Sequence, residues 1–188
     1  GIGVLTREDA KRYCVVGPTA RGSGIEIDAR RDDPYAAYDE VDWEVCVEDE
    51  GDAYARFLVR LKECFESVKI ARQVLEKIPR GEVCVEVEEF PVGEAIGRGE
   101  APRGELTYYI RSNGTSIPER VRIRTPSFVN NAALPVMLVG GTIADVPIVV
   151  GSIDPCYSCT DRVTVIDKQT GKSRVYTFEE LRRCKRVV

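Results

Sequence analysis

The sequence predicts an α+β fold, and three stretches carry that prediction. Between Asp52 and Ile78 apolar residues recur at steps of three and four, the period of one helix face. Between residues 105 and 125 two β-rich runs flank Asn113-Gly114, a dipeptide suited to the positive backbone angles of a hairpin turn. After Ser127, short apolar segments punctuated by Gly140-Gly141 and Pro147 lead to the pair Cys156 and Cys159.

The elements follow in chain order. Thr6 is a fitting N-cap for a short helix to Tyr13, with Glu8 and Asp9 placed to complement the helix dipole. Residues 15 to 43 hold glycine at 17, 22 and 24, proline at 18 and 34, and dense charge without steady period. They read as an ordered, irregular loop, and loops of that length commonly line a site or an interface. Asp52 caps the long helix and Pro79-Arg80-Gly81 stops it. At 1.5 Å per residue it runs roughly 40 Å, too long for a small chain to cover, so it is expected to pack into something larger. Val83, Val85 and Val87 alternate with acids in a strand-like pattern. Ser127 is expected to cap a helix through about Val139, and Pro147 to interrupt the apolar segment that follows. Beyond residue 162 the pattern predicts a hairpin turning near Thr170-Gly171 and a basic terminal helix from about Phe178.

Composition limits the function classes. Of 188 residues 43% are hydrophobic and 31% charged, the balance of a globular protein with one core or one and a small appendage. No run approaches the roughly 18 to 20 apolar residues that cross a bilayer, and the N-terminus has no basic-then-apolar targeting pattern, so any membrane link comes through a partner. A net charge of −4 argues against nucleic acid as a ligand. The basic group Arg182, Arg183, Lys185 and Arg186 reads as a solvated helix face. Seven cysteines is an odd number, and five stand singly in apolar or helical contexts like small buried hydrophobes, which favours a reducing compartment. With no histidine, a metal here would depend on thiolates and carboxylates.

A C-x-x-C turn brings two sulfurs close enough for one soft or borderline metal. A zinc ribbon would need a second close pair, which Cys14, Cys46, Cys64, Cys84 and Cys184 do not form. A redox dithiol would sit in a βαβ unit, and none is apparent. Two ordinary buried cysteines stay open on spacing alone.

The flanking residues point further. "GEAPRGELTYYIRSNGTSIPERVRIRTPSFVNNAALPVMLVGG" and "IADVPIVVGSIDPCYSCTDR" closely resemble the C-terminal part of the large subunit of membrane-associated nickel–iron hydrogenases, the formate hydrogenlyase and energy-converting group. That group is homologous to the 49-kDa quinone-site subunit of respiratory NADH dehydrogenase. The upstream "GPTARGSGIEIDARRDDPYAAYDEVDW" and "GDAYARFLVRLKECFESVKIARQVLEKIP" are similar to the same superfamily. The quinone-reducing branch lacks both cysteines, so Cys156 and Cys159 favour the hydrogen-activating branch.

The resemblance implies a fragment, residues 1 to 162, of a larger, mainly helical subunit. In that family nickel is held by four thiolates from two C-x-x-C turns, two of them bridging to an iron that carries cyanide and carbon monoxide. Cys156 then resembles the terminal nickel ligand and Cys159 the bridge, while the other pair would lie upstream of Gly1. The fragment alone is expected to hold no such centre and to be inactive. Arg103 resembles the arginine over the open metal position, where a fixed cation polarises bound dihydrogen. Asp154 would orient it. Thr125, Pro126 and Ser127 resemble the segment around the diatomic ligands, Ser127 as a donor and Pro102 and Pro126 as dry walls. Without the resemblance, Arg103 reads as a turn residue and Asp154 as a turn stabiliser.

The reaction implied is reversible heterolysis of dihydrogen by the full-length, processed subunit. Implied partners are an iron–sulfur small subunit, membrane subunits, nickel-insertion proteins and a maturation endopeptidase cutting after Arg162. Residues 163 to 188 are then a removable extension, and the location is the cytoplasmic face of a membrane. The isolated fragment could also cover its apolar surface as a homo-oligomer. Two other readings remain: a non-catalytic quinone-site or scaffold subunit, and an interaction domain stapled by zinc.

Overall fold

The structure is a computed structural model that describes all residues except 85, 88, 161–164, 167, 175–177 and 184–188. It divides into two compact units, Gly1–Cys156 and Tyr157–Val188.

The first unit opens with α1 (Arg7–Arg12), where the Thr6 hydroxyl accepts the Asp9 amide as the capping pattern predicts. The following loop is irregular, but it contains two single-turn helices, α2 (Pro18–Arg21) and α3 (Ala29–Asp32), and it is among the most buried parts of the chain. Leu5, Val15, Ala20 and Ile25 meet Ala133, Met137, Val149 and Ile153 in one hydrophobic cluster. Trp43 is buried under the guanidinium groups of Arg30 and Arg31, 4.6 and 4.7 Å from the ring centroid, a favourable cation–π geometry.

Helix α4 (Ala53–Lys77) has 25 residues and is capped by Asp52, whose carboxylate accepts the Ala55 amide at 2.8 Å. Its packing inverts the simple amphipathic picture. The buried residues are Ala55, Arg56 and Val59, whereas Tyr54, Phe57, Leu61, Phe65, Val68 and Leu75 are exposed. The apolar stripe that the period identifies is real, but within this chain it is not the core face.

Strands β1 (Val92–Ala101), β2 (Gly104–Asn113) and β3 (Arg120–Arg124) form one antiparallel sheet in the order β1-β2-β3. The pairing of residues 105 to 125 agrees with the sequence, although residues 114 to 119 make a longer loop than a two-residue turn. The valine alternation at 83 to 87 does not become a strand among its described residues. The strand lies further on, in a glycine-rich run with three glycines, where pairing along the whole of β2 outweighs poor β propensity.

The helix expected from Ser127 to Val139 is broken into α5 (Pro126–Asn130), a 3₁₀ turn over Asn131–Ala133, and α6 (Leu134–Leu138). Pro135 in the first turn of α6 cannot donate to a continuous ladder. Thr125 takes the N-cap position and Ser127 lies inside α5. Pro147 likewise starts α7 (Val146–Ser152) rather than interrupting a helix, since proline fits a first turn.

Cysteine burial also departs from expectation. Cys14, Cys64 and Cys84 are exposed and Cys46 is half-buried; Cys14 sits at a positive φ just beyond α1, which turns it outward. Cys184 lies outside the described residues. In the second unit, α8 (Tyr157–Thr160) is followed by a two-stranded antiparallel pair, β4 (Val165–Ile166) with β5 (Ser173–Arg174), and by α9 (Phe178–Arg183). This matches the hairpin and helix read from the sequence; Lys185 and Arg186 of the basic group lie outside the described residues.

Candidate functional site

Ala101 pairs with Gly104 across the β1–β2 hairpin, so Pro102 and Arg103 alone make the turn. Proline's fixed φ suits the first turn position. Most of β1 is exposed, and only its last three residues, at the turn end, are half-buried. There the backbone of Gly104 presses against that of Gly17. A Cβ on Gly17 would stand 2.3 Å from the Gly104 Cα, and one on Gly104 would stand 2.7 Å from the Gly17 nitrogen. Both have positive φ, +65° and +126°. Asn130 of α5, fully buried, locks this contact. Its Oδ1 accepts the Val16 amide at 2.9 Å, and its Nδ2 donates to the carbonyls of Val16 and Arg103, each at 3.2 Å.

The Arg103 side chain is held by Asp154. Nε donates to the Asp154 carbonyl, and Nη2 reaches the two carboxylate oxygens at 3.2 and 3.1 Å. Asp154 has φ +51°, a left-handed geometry that aspartate tolerates better than most residues. Two residues on, the Cys156 amide donates to the Ser127 hydroxyl oxygen at 3.0 Å, and Ser127 is 1% exposed. Residues 103, 127, 154 and 156, distant in sequence, are thereby tied to one another in two hydrogen-bonded pairs.

Other candidate residues are placed less closely. Pro126 is buried at the start of α5 and Thr125 is half-buried before it. Pro102 is exposed at the turn and lines the edge of a cleft beside Asp154. The Ser127 oxygen is used as an acceptor, which leaves its proton to donate. Cys159 lies half-exposed in α8, in the second unit. Arg162 lies outside the described residues. Replacing Ser127 by alanine removes the oxygen that accepts the Cys156 amide and is expected to cost about 1–2 kcal/mol, read as a lowered denaturant midpoint with the slope unchanged.

Arg103 is adjoined by a cluster of charges that the sequence reading did not single out. A cleft of about 360 Å³ is lined by Arg21, Arg30, Arg60, Glu63, Glu100 and Asp154, among others. Arg21 is 1% exposed, and bonds Glu63 at 2.7 Å, Glu100 at 2.9 Å and the Ile27 carbonyl at 2.7 Å, with Asp28 at 3.3 Å. Burial alone would lower its pKa, but Glu63, Glu100 and Asp28 more than offset that and hold it above the ordinary value. Burial would likewise raise Asp28, yet Arg30 and Arg21 hold it below the usual carboxylate range. For Glu100 burial prevails over Arg21 and its pKa stands raised. Arg56, Arg60 and Glu63 share helical spacing opposite the apolar stripe, a pattern that could have flagged them. Arg21, Glu100 and Asn130 carry no local signal of this kind.

Among the described residues no group of three or more His, Cys, Asp or Glu side chains could hold a metal ion, and no helix is long and apolar enough to cross a membrane. Thiolates such as those of Cys156 and Cys159 are right in kind for a soft or borderline metal.

Comparison with known proteins places these observations. The chain is 47% identical over 163 residues to the carbon monoxide-induced hydrogenase of Rhodospirillum rubrum, covering 86% of this chain and 45% of that protein. It is 41% identical over 190 residues to the D 1 subunit of the NADH-quinone oxidoreductase of Chloroherpeton thalassium, covering 86% of this chain and 43% of that protein. It is 42% identical over 171 residues to the D subunit of the F(420)H(2) dehydrogenase of Methanosarcina mazei, covering 86% and 46%. A chain of the membrane-bound sulfane sulfur reductase, an archaeal respiratory membrane complex, superposes with a TM-score of 0.80 at 38% identity, over 86% of this chain and 46% of that one. The chain thus spans less than half the length of these relatives. The model of the respiratory-chain NADH dehydrogenase 49-kDa subunit matches residues 1–90 and 85–162, and the chain belongs to that family.

Proposed function

We propose that this chain is the C-terminal part of a hydrogenase-type large subunit, an oxidoreductase component of a membrane-associated respiratory complex. In this reading Cys156 and Cys159 supply two thiolates of a nickel–iron site, the iron carrying cyanide and carbon monoxide, and two further thiolates come from elsewhere in the parent protein. The bound metals would supply the chemistry of heterolytic dihydrogen cleavage.

One observation carries the reading: Asp154, two residues ahead of the first cysteine, holds Arg103 through both its carbonyl and its carboxylate, while Ser127 anchors that cysteine. A guanidinium is always protonated. With Nε and Nη2 committed to Asp154, its plane is fixed, and Nη1 is left to donate to a substrate or ligand atom. Buried Pro126 keeps water from the start of α5, and the Ser127 proton can meet an acceptor beside Cys156. Further parts of the proposal are an iron–sulfur small subunit, membrane subunits and nickel-insertion proteins as partners. They also include attachment at the cytoplasmic face, and removal of residues 163 to 188 by a maturation endopeptidase.

A second reading has its own support. Relatives named as D subunits of NADH-quinone oxidoreductase are about as similar to the chain as several of the others, which favours a non-catalytic quinone-site or scaffold subunit. Metal analysis of the purified parent complex separates the two. The hydrogenase reading expects stoichiometric nickel, lost at least tenfold (~1.4 kcal/mol or more in apparent binding) in Cys156→Ser and in Cys159→Ser, together with hydrogen–proton exchange. A nickel-free wild-type complex that still turns over sinks it in favour of the quinone-site reading.

A further inference from the structure

Helix α4 presents two arginines one turn apart, Arg56 and Arg60. Arg56 is fully buried and spends its donors on the carbonyls of Gly51 and Gly3 and on the Ser152 hydroxyl. None of these is a carboxylate. Burial, with Arg60 alongside, pushes its pKa down to about 10. Arg60 gives Nη1 to the carbonyls of Arg56 and Ser152, at 3.0 and 2.6 Å. Its Nε and Nη2 are buried and have no hydrogen-bond partner among the described residues.

Those two nitrogens share one edge of the guanidinium. Their N–H bonds project in parallel, at the spacing of the two oxygens of a carboxylate. Stranding buried donors is costly, and native proteins rarely leave such groups unmatched. The carboxylates that line the cleft with Arg60 are already held: Glu63 and Glu100 by Arg21, Asp154 by Arg103. The contrast with Arg21 is informative. Burial works against the charge of both arginines, but three carboxylates reverse the effect at Arg21, whereas at Arg60 the fields of Asp154 and Glu63 do not, and its pKa stays lowered. With Arg56 one turn away, the local field is short of negative charge.

We propose that the Nε/Nη2 edge of Arg60 is a receptor for a carboxylate, taken bidentately beside the cleft lined by Arg21, Glu63, Glu100 and Asp154. The edge is buried within this chain, so the proposed binding includes a turn of the guanidinium that presents it to the cleft. One chemistry has two sources: an aspartate or glutamate side chain of another segment or subunit that closes over the cleft, or a soluble carboxylate such as formate. A backbone carbonyl offers a single oxygen without net charge and does not meet both requirements. The assignment is independent of the metals proposed at Cys156 and Cys159 and stands or falls separately from them.

Electron cryomicroscopy of the parent complex tests it, with one sample in chloride buffer and a second with sodium formate added. The expected result is a pair of oxygens within about 3.2 Å of Nε and Nη2. Density continuous with a protein side chain in both samples identifies the first source, and density present only with formate identifies the second. Water, a carbonyl or no density at this edge in both samples overturns the proposal. Arg60→Lys keeps the charge but not the parallel donors. In that variant the paired contact is expected to be lost, or the formate midpoint in a thermal-shift titration to rise at least tenfold; an unchanged contact or midpoint also overturns it.

Discussion

Replacing Arg21 by methionine is expected to destabilise the fold by about 3–5 kcal/mol, enough to leave a marginal domain largely unfolded. Arg21 is 1% exposed, and its guanidinium sits among Glu63, Glu100 and Asp28. Removing the cation leaves Asp28 and Glu100, whose side chains are 1% and 5% exposed, short of countercharge, and the repulsion among the carboxylates adds to the lost hydrogen bonds. Lysine is a poor substitute, because a single ammonium cannot match the Nε bond to Glu63 and the Nη1 bonds to Glu100 and Ile27 together. Adding Glu100→Gln to the methionine variant is expected to recover part of the loss, since one of the stranded charges is then neutral. Denaturant unfolding of the single and double variants gives the coupling directly. A loss under 1 kcal/mol for Arg21→Met would show that the cluster is solvated in solution and not the buried network described above.

The second large effect is expected at the seam between the hairpin turn and the loop after α1. Gly17→Ala places a methyl 2.3 Å from the Gly104 Cα, a backbone atom that cannot rotate aside. The substitution also forces a non-glycine residue to φ +65° with ψ −147°, a region kept almost entirely for glycine, which alone costs about 1–3 kcal/mol. Separating the two segments breaks the three hydrogen bonds of Asn130 as well. The total is expected to reach about 3 kcal/mol or more. Arg103 directly precedes Gly104 of this seam, so a shift of about 1 Å misplaces its guanidinium relative to Asp154, and in the role proposed for Arg103 misplacement on that scale is expected to cost about a hundredfold in activity. The seam also allows a clean control. Gly93 and Gly97, on the exposed length of β1, have nothing within 4 Å of an added Cβ, and alanine at either is expected to be near neutral in both stability and activity.

How far the sequence foretold the fold depends on what kind of information each element needs. Helix α4 and its Asp52 cap were legible because period and capping are local properties. The pairing of β2 with β3 was legible for the same reason. Strand β1 was not, because a run with glycine at 93, 97 and 99 becomes a strand only when β2 supplies a full ladder. The break between α5 and α6 was marked by Pro135 and was outweighed by the apolar run around it. The candidate site divides in the same way. Arg103, Asp154 and Ser127 were singled out through the family resemblance of the segments that hold them, and Cys156 through its C-x-x-C spacing. Arg21, Glu63, Glu100 and Asn130 were not, because a charged or amide residue looks solvated until the fold brings its partners. The spacing of Arg56, Arg60 and Glu63 was visible, but the apolar stripe opposite was the stronger pattern.

The seam at Asn130 also dictates timing. Asn130 binds Val16 across 114 positions, Arg103 binds Asp154 across 51, and Cys156 binds Ser127 across 29. Such distant closures are costly in chain entropy and form late relative to local helices. While the polypeptide is still emerging from the ribosome, α4 can wind long before residue 154 exists, so a translating chain passes through a helical stage in which Arg103 has no anchor. The corner that joins residues 103, 127, 154 and 156 is therefore the last part of this unit to close, and only a chain extended through Cys156 offers the anchored arginine.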